Sequence, residues 1–154
     1  LEESKEVTGI QKELGIHKSR KKSFEDKLES RKKIEEDIEL EVTFVNLLEG
    51  QTLNVSISIY DDKDVYVLSS PNLNRKSLKT GKYKSICKIS KNLLNKGVYY
   101  FSVLLVGNNY ELICQLDKVV AIEMNEIGTY RHNYFGYWSG VVRPYLEWTN
   151  TKIN

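Results

Sequence analysis

The stretch Leu53-Asn54-Val55-Ser56-Ile57-Ser58-Ile59-Tyr60 decides the fold. Aliphatic side chains alternate in it with small polar ones, and this period of two is typical of a strand that buries one face. Ile38 to Phe44 alternates in the same way. Between the two segments, Glu49-Gly50-Gln51-Thr52 has the composition of a turn. The pattern therefore predicts two half-buried strands joined by a turn.

Similar strand patterns continue toward the C-terminus. Five further strands are expected, at 65–68, 81–89, 98–106, 110–116 and 119–124. The segment 98–106 is strongly apolar and β-branched or aromatic, which favours a central strand. Gly107-Asn108-Asn109 reads as a hairpin loop. Seven or more short strands with regular turns predict an all-β fold, an antiparallel β-sandwich.

The run Gly136 to Trp148 combines two tryptophans, two tyrosines, two glycines and a proline. Val141, Val142 and Leu146 favour extended backbone, while Pro144 removes a donor from any ladder. We expect an aromatic-rich edge strand here. Such a strand either meets a partner or helps to form a binding surface.

The N-terminal part has a different character. Val7 to Ile10 is a possible short strand, and from His17 to Asp37 charges of both signs dominate. Phe24, Leu28 and Ile34 are the only large apolar residues of this stretch, so a helix here would bury little. A solvated connection is therefore expected. The chain is accordingly divided into an N-terminal strand and charged connection, 1–36, and a β-sandwich, 37–154, within one domain overall.

Bulk properties exclude several function classes. A net charge of +2 over 154 residues gives no argument for nucleic-acid binding, and no run of 18 apolar residues predicts a membrane span. The chain does not begin with Met, which suggests a piece of a longer protein. Cys87 and Cys114 lie in separate predicted strands; we expect free, buried thiols in a reducing compartment, with a disulfide in a secreted protein as the alternative.

Catalytic and metal-binding motifs are missing from the sequence. Neither cysteine has a histidine nearby, and the two histidines, His17 and His132, lack metal-ligand spacing. Thr80-Gly81-Lys82-Tyr83 lacks the earlier glycine and the Ser or Thr of a P-loop. We therefore expect no enzyme activity, no cofactor and no metal in this chain.

Ten tyrosines against four phenylalanines favour a binding role. A tyrosine offers a flat apolar face with a polar edge, and a sugar ring has the matching character. Tyrosines also pack in strands for stability alone, so the packing alternative stays open. The candidate carbohydrate contacts are the polar positions of two strands and one loop: Ser56, Ser58, Tyr60, Tyr100, Ser102, Tyr130, Arg131 and His132.

Three blocks in order, Thr80 to Ile89, Asn92 to Tyr99 and Gly136 to Trp148, resemble one family. It is the C-terminal domain of Wzt-type ATP-binding subunits of bacterial polysaccharide ABC transporters. The resemblance implies an immunoglobulin-like, jelly-roll-like sandwich without catalysis that binds O-antigen or a related surface polysaccharide, often at its non-reducing end, and licenses export. It also implies an ATPase domain and a membrane permease as partners, and a cytoplasmic location peripheral to the inner membrane.

The same resemblance implies a homodimer in which the C-terminal strand is exchanged. Trp138, Gly140, Pro144 and Trp148 would then be structural or dimer residues, with Gly140 as the hinge. One departure is Ser90, which stands where the family has proline. Two alternatives remain at this point: a dimerisation or structural module without a glycan ligand, and a secreted adhesion or glycoside-processing accessory domain.

Overall fold

A computed structural model describes residues 28–126, 138–144 and 146–153. Most of these residues lie in seven strands, and a short 3-10 turn, Asn108–Tyr110, joins the sixth strand to the seventh. In chain order the strands are β1 (Leu28–Lys33), β2 (Ile38–Asn46), β3 (Asn54–Asp61), β4 (Tyr66–Pro71), β5 (Gly81–Ile89), β6 (Gly97–Val106) and β7 (Leu112–Asn125).

The strands form two sheets. Five of them make the larger sheet in the order β1-β7-β6-β3-β4, while β2 and β5 make a two-stranded sheet. Every pair is antiparallel except β1 with β7, which is parallel. The predicted all-β sandwich is confirmed, and β6 lies inside the larger sheet as its sequence predicted.

One apolar core lies between the sheets. Alternate side chains of β2 are buried, from Ile38 at 3% exposed to Phe44 at 3%, and the intervening ones face outward. Each such large side chain contributes roughly 1.5–3 kcal/mol when it leaves water. The larger sheet meets them with the matching alternate residues of β3 and β6: Val55, Ile57, Ile59, Tyr99, Phe101, Val103 and Leu105.

Leu28–Lys33 forms β1 within the stretch where the sequence predicted a solvated connection. The strand lies at the edge of the larger sheet and pairs with β7 through its backbone. Ile34 follows it, is 0% exposed and donates its N–H to the carbonyl of Asn125 at 2.9 Å. The strand pairs through its backbone and four of its six residues are charged, so side-chain periodicity gave no indication of it. The possible strand at Val7–Ile10 lies outside the described residues.

β7 is one long strand where the sequence predicted two, at 110–116 and 119–124. The gap is a bulge: β6 advances from Phe101 to Val103 while its partner positions on β7 move from Val120 to Leu116. Lys118, inside the bulge, has a φ of 48°, in the left-handed region. Bulges re-aim side chains without ending the strand.

The predicted edge strand at 141–148 does not form in the described residues. Only Val142 makes a bridge, to Leu94, and the remaining described positions of this segment have no strand structure. Two backbone hydrogen bonds flank the bridge, from Asn95 N to Val141 O at 3.0 Å and from Arg143 N to Leu93 O at 2.7 Å. Pro144 follows directly and cannot donate, so the pairing stops there.

Candidate functional site

Five predicted site residues lie on one face of the larger sheet, the face turned away from the two-stranded sheet. In the β3–β6 register Tyr60 is opposite Tyr100 and Ser58 is opposite Ser102. Opposite residues of an antiparallel pair share a face, and Ser56 lies two residues along the same strand. The structure thus brings Ser56, Ser58, Tyr60, Tyr100 and Ser102 together.

Three of these side chains form the floor of that face and are not displayed on it. Ser58 is 6% exposed, Ser102 is 2% exposed and Tyr100 is 9% exposed. Ser58 Oγ hydrogen-bonds the hydroxyl of Tyr66 at 3.3 Å, and Ser102 Oγ accepts the backbone N–H of Lys118 at 2.9 Å. These two hydroxyls therefore hold neighbouring residues in place and are shielded from solvent. On this face the neighbours, not these hydroxyls, are the groups that a ligand could reach.

The accessible part of this face combines aromatic rings with a charged pair. Tyr60 and Tyr66 pack edge to face with ring centroids 5.1 Å apart, and Tyr66 is 54% exposed. The ammonium of Lys118 lies 5.9 Å from the ring centroid of Tyr60 and 5.6 Å from that of Tyr100, and it pairs with the carboxylate of Asp64. We call Tyr60, Tyr66, Lys118 and Asp64, together with Tyr100 as their buried floor, the tyrosine surface.

Local backbone structure places the charged pair. Asp61 Oδ1 accepts the N–H groups of Lys63 at 2.9 Å and Val65 at 2.8 Å, which fixes the turn between β3 and β4. Asp64 takes a φ of 63° in that turn. The β7 bulge brings Lys118 to the same place from the other side. Sequence reasoning identified the turn at 61–64 but missed these two residues and Tyr66; the break between the two predicted strands at 116–119 was the available indication of a bulge.

The two tyrosines of the surface with altered acidity shift in opposite directions. Hydrogen bonds with the hydroxyls of Ser58 and then Ser69 lower the pKa of Tyr66. Burial raises the pKa of Tyr100; beyond that, the Lys118 charge lowers it while Asp62 and Asp64 raise it. Positive and negative charges therefore both act on the phenol of Tyr100.

The predicted loop residues Tyr130, Arg131 and His132 lie outside the described residues.

Two of the predicted structural residues, Trp138 and Gly140, belong to a clamp around Asn95. The buried Asn95 amide donates to the carbonyls of Trp138 and Gly140, both at 2.7 Å. Tyr99 OH donates to Asn95 O at 3.0 Å and to Val141 O at 2.9 Å. Gly140 has a φ of +99°, which side chains rarely adopt. These bonds fix the segment 138–143 to the turn before β6.

A buried ion pair completes the clamp. Arg143 Nη1 and Glu126 Oε1 are 2.7 Å apart, and each side chain is 7% exposed. The guanidinium of Arg143 also lies 4.8 Å from the ring centroid of Trp138. A charge buried with its partner is tolerated, whereas one left alone is costly. The pair therefore holds the segment 138–143 to the end of β7.

Pro144 and Trp148, the other two predicted structural residues, lie beyond this clamp. Trp148 is 86% exposed, so in this chain alone it does not anchor a strand. Leu146 at 61% and Ile153 at 94% are exposed with it. Residues 146–153 are exposed throughout, and the hinge expected at Gly140 stays a prediction.

An apolar cleft of about 400 Å³ lies where the two sheets are not closed. Its floor is made by core residues of β2 and β3, and its rim comes from β4, the residues just after it and β5, including Ser70, Leu73, Cys87 and Lys88. In the described residues β4 and β5 each pair on one side only. The cleft therefore opens between two strands that have a free edge.

Both thiols are free, and burial raises the pKa of Cys87 and of Cys114. Burial of this kind disfavours the reactive thiolate. Across 28–126, 138–144 and 146–153, no three His, Cys, Asp or Glu side chains are grouped to hold a metal ion. Within the same ranges no helix has the length and hydropathy needed to cross a bilayer.

Comparison with solved structures identifies a similar fold. The crystal structure of the C-terminal domain of Wzt matches with a TM-score of 0.61 and 10% sequence identity, covering 77% of this chain and 72% of that one. A putative ApaA protein from Bordetella pertussis matches with a TM-score of 0.29 and 15% identity, covering 57% of this chain and 76% of that one. A TM-score this low supports no conclusion about the fold. No family model and no curated protein matches the sequence. At this identity the first likeness shows the fold alone.

Proposed function

We propose that this chain is the non-catalytic polysaccharide-recognition domain of an ABC transporter ATP-binding subunit. It binds O-antigen or a related bacterial surface glycan at the non-reducing end and licenses export. The observation that carries the proposal is the tyrosine surface, displayed on a sandwich whose fold resembles the C-terminal domain of Wzt.

The tyrosine surface has the chemistry that a sugar requires. The C–H face of a sugar ring packs on an aromatic ring, and hydroxyls around the sugar's rim bond to polar groups. Tyr60 and Tyr66 supply rings, while Lys118 and Asp64 supply a donor and an acceptor beside them. Ser58 and Ser102 hold Tyr66 and Lys118 from below. A surface held in place before binding loses less entropy when a ligand arrives.

Affinity for a few sugar residues should be weak, about micromolar to millimolar, or roughly −4 to −8 kcal/mol. Two copies in a transporter dimer raise the effective affinity because the second contact is intramolecular. Weak single contacts suit a module that recognises a chain and then releases it. In the proposed setting an ATPase domain and a membrane permease are partners, on the cytoplasmic side of the inner membrane.

The test is an NMR titration of the chain with polysaccharide fractions from the source cell. Binding should shift the amide signals around Tyr60, Tyr66 and Lys118. Replacing Tyr66 by alanine should weaken binding about tenfold, since one aromatic contact contributes roughly a factor of that size. Tyr110→Ala is the matched control, because Tyr110 is also exposed, at 79%, but lies in the turn between β6 and β7. No shift with any fraction would contradict the proposal.

A dimerisation module without a glycan ligand is the second candidate. The exposed Leu146, Trp148 and Ile153 and the free edges of β4 and β5 favour it. A homodimer is compatible with both candidates, so the two differ at the tyrosine surface. If Tyr66→Ala leaves export unchanged while truncation after Pro144 abolishes it, the module serves assembly alone.

A further inference from the structure

The ion pair of the tyrosine surface joins two separate elements. Lys118 comes from the β7 bulge and Asp64 from the turn between β3 and β4, 54 positions apart in the sequence. The side chain of Lys118 is 34% exposed and that of Asp64 is 75% exposed. An ion pair so exposed contributes little to stability. Both residues nevertheless have left-handed backbone angles, φ 48° for Lys118 and φ 63° for Asp64, which place the ion pair beside the tyrosine rings.

The pair offers a matched donor and acceptor. An ammonium has three N–H groups and no acceptor, and a carboxylate has only acceptors. Two adjacent hydroxyls of a sugar can satisfy both, one accepting from Lys118 and the other donating to Asp64. The C–H face of the sugar can then rest on the neighbouring tyrosine ring, as the apolar part of the contact.

Charge around the pair is not balanced. The carboxylates of Asp62 and Asp64 both raise the pKa of Tyr100, whereas the ammonium of Lys118 lowers it. Residues 61–64 themselves carry three carboxylates, Asp61, Asp62 and Asp64, against the one ammonium of Lys63, and Lys118 adds a second ammonium. The charge at this end of the face is therefore negative, although the whole chain carries +2. An incoming carboxylate would meet this excess negative charge and would compete with Asp64 for Lys118. A sugar without charge meets no such repulsion.

We propose that the tyrosine surface selects a neutral sugar, read at two adjacent hydroxyls, with Lys118 as donor and Asp64 as acceptor. The inference rests on the proposed function and adds the chemical class of the glycan. Sugars whose rings carry a carboxylate are disfavoured at this surface.

The experiment compares neutral oligosaccharides with their uronic-acid counterparts of equal length: oligomers of mannose, galactose and glucose against those of mannuronate, galacturonate and glucuronate. Each pair differs only in the carboxylate at C6. The readout is the set of NMR amide shifts of the chain, together with the dissociation constant. At least one neutral oligomer should shift the signals of Asp64 and Lys118, and its acidic counterpart should not at the same concentration.

Variants separate the two roles. Asp64→Asn should weaken binding of the neutral oligomer about tenfold, the loss expected for one hydrogen bond to a charged group. The ratio between the dissociation constants of the acidic and the neutral oligomer should become smaller in this variant. Lys118→Met should weaken the neutral oligomer by a similar factor. Glu111→Gln is the control, because it removes one exposed carboxylate from the loop beyond the far end of β6, about 20 Å from Tyr100.

The outcomes are distinct. Equal or tighter binding of an acidic oligomer would overturn the inference and leave the proposed function standing. The same holds if Asp64→Asn binds the neutral oligomer unchanged. If none of the six oligomers and no fraction of the native polysaccharide binds, the proposed function fails and the inference fails with it.

Discussion

Single side chains on the larger sheet have roles that their residue types alone do not reveal. Ser58 and Ser102 are polar and alternate with apolar neighbours, so a pattern of period two places them outward. They do lie on the outer face, but the Ser58 hydroxyl is hydrogen-bonded to the Tyr66 hydroxyl, and the Ser102 hydroxyl accepts the backbone N–H of Lys118. Periodicity predicts the face of a strand and not what covers that face. The sequence could therefore indicate where the candidate site lies, but not which of its residues a ligand can touch.

Tyr66 and Tyr100 should ionise in a fixed order. Hydrogen bonding lowers the pKa of Tyr66 and burial raises that of Tyr100, so Tyr66 loses its proton first as pH rises. Tyrosine ring-carbon shifts in an alkaline NMR titration measure both. Ser58→Ala removes the hydrogen bond that lowers the pKa of Tyr66 most, so this pKa should rise in the variant.

The raised pKa of Tyr100 makes the folding stability of the chain depend on pH in the alkaline range. Its folded-state pKa lies above the unfolded value, so the folded chain holds this proton longer. That contribution to stability is present below the unfolded pKa and is lost as pH rises through the folded one. Ionisation of Tyr100 before Tyr66 would contradict the assigned surroundings of both residues.

Among the elements, those with a strong side-chain pattern were predictable. β2, β3 and β6 bury alternate or nearly all side chains, β5 half-buries alternate ones, and the sequence pattern of each strand indicates this. β1 was not predictable, because its pairing uses the backbone of β7 and its own residues are mainly charged. The terminal strand was expected from aromatic and β-branched residues, yet the described part of it makes one bridge. Propensity favours extended backbone but does not supply a partner strand.

The clamp around Asn95 makes a prediction at this scale. Asn95→Ala leaves the carbonyls of Trp138 and Gly140 without their amide donor. At about 1 kcal/mol for each hydrogen bond, the free energy of unfolding should fall by roughly 2 kcal/mol. Urea denaturation measures this loss, and hydrogen exchange at the Arg143 amide should become faster because its segment is released.

Asn74→Ala serves as the matched control for the clamp. Asn74 is exposed, and the hydrogen bond recorded for it runs from its backbone N–H to Asn72, which the substitution keeps. Equal losses for the two variants would show that Asn95 is not what holds the segment 138–143.

For the whole molecule, the open side of the sandwich and the uncovered C-terminal segment are complementary features. Strands β4 and β5 carry free edges beside an apolar cleft, and Leu146, Trp148 and Ile153 are exposed. Isolated edges of this kind tend to pair with another chain. The clamp keeps 138–143 with its own chain, so exchange between two copies would involve the residues after Pro144.

Truncation after Pro144 should therefore convert a dimer into a monomer. Sedimentation velocity at micromolar concentration measures the change, and Trp148→Ala should weaken the dimer because the largest exposed ring is lost. The clamp lies outside the truncated part, so the thermal unfolding midpoint of the monomer should not collapse. An untruncated chain, residues 1–154, that sediments as a monomer would rule out strand exchange.

The bulge in β7 has an evolutionary consequence. It adds two residues opposite Ser102, and because two is the repeat of a strand, Cys114, Leu116, Val120 and Ile122 stay on the interior side. A lineage could lose or gain such a pair of residues without reshuffling its interior. If Lys118 binds sugar as proposed, ligand preference could thus diverge among descendants while the scaffold is inherited unchanged.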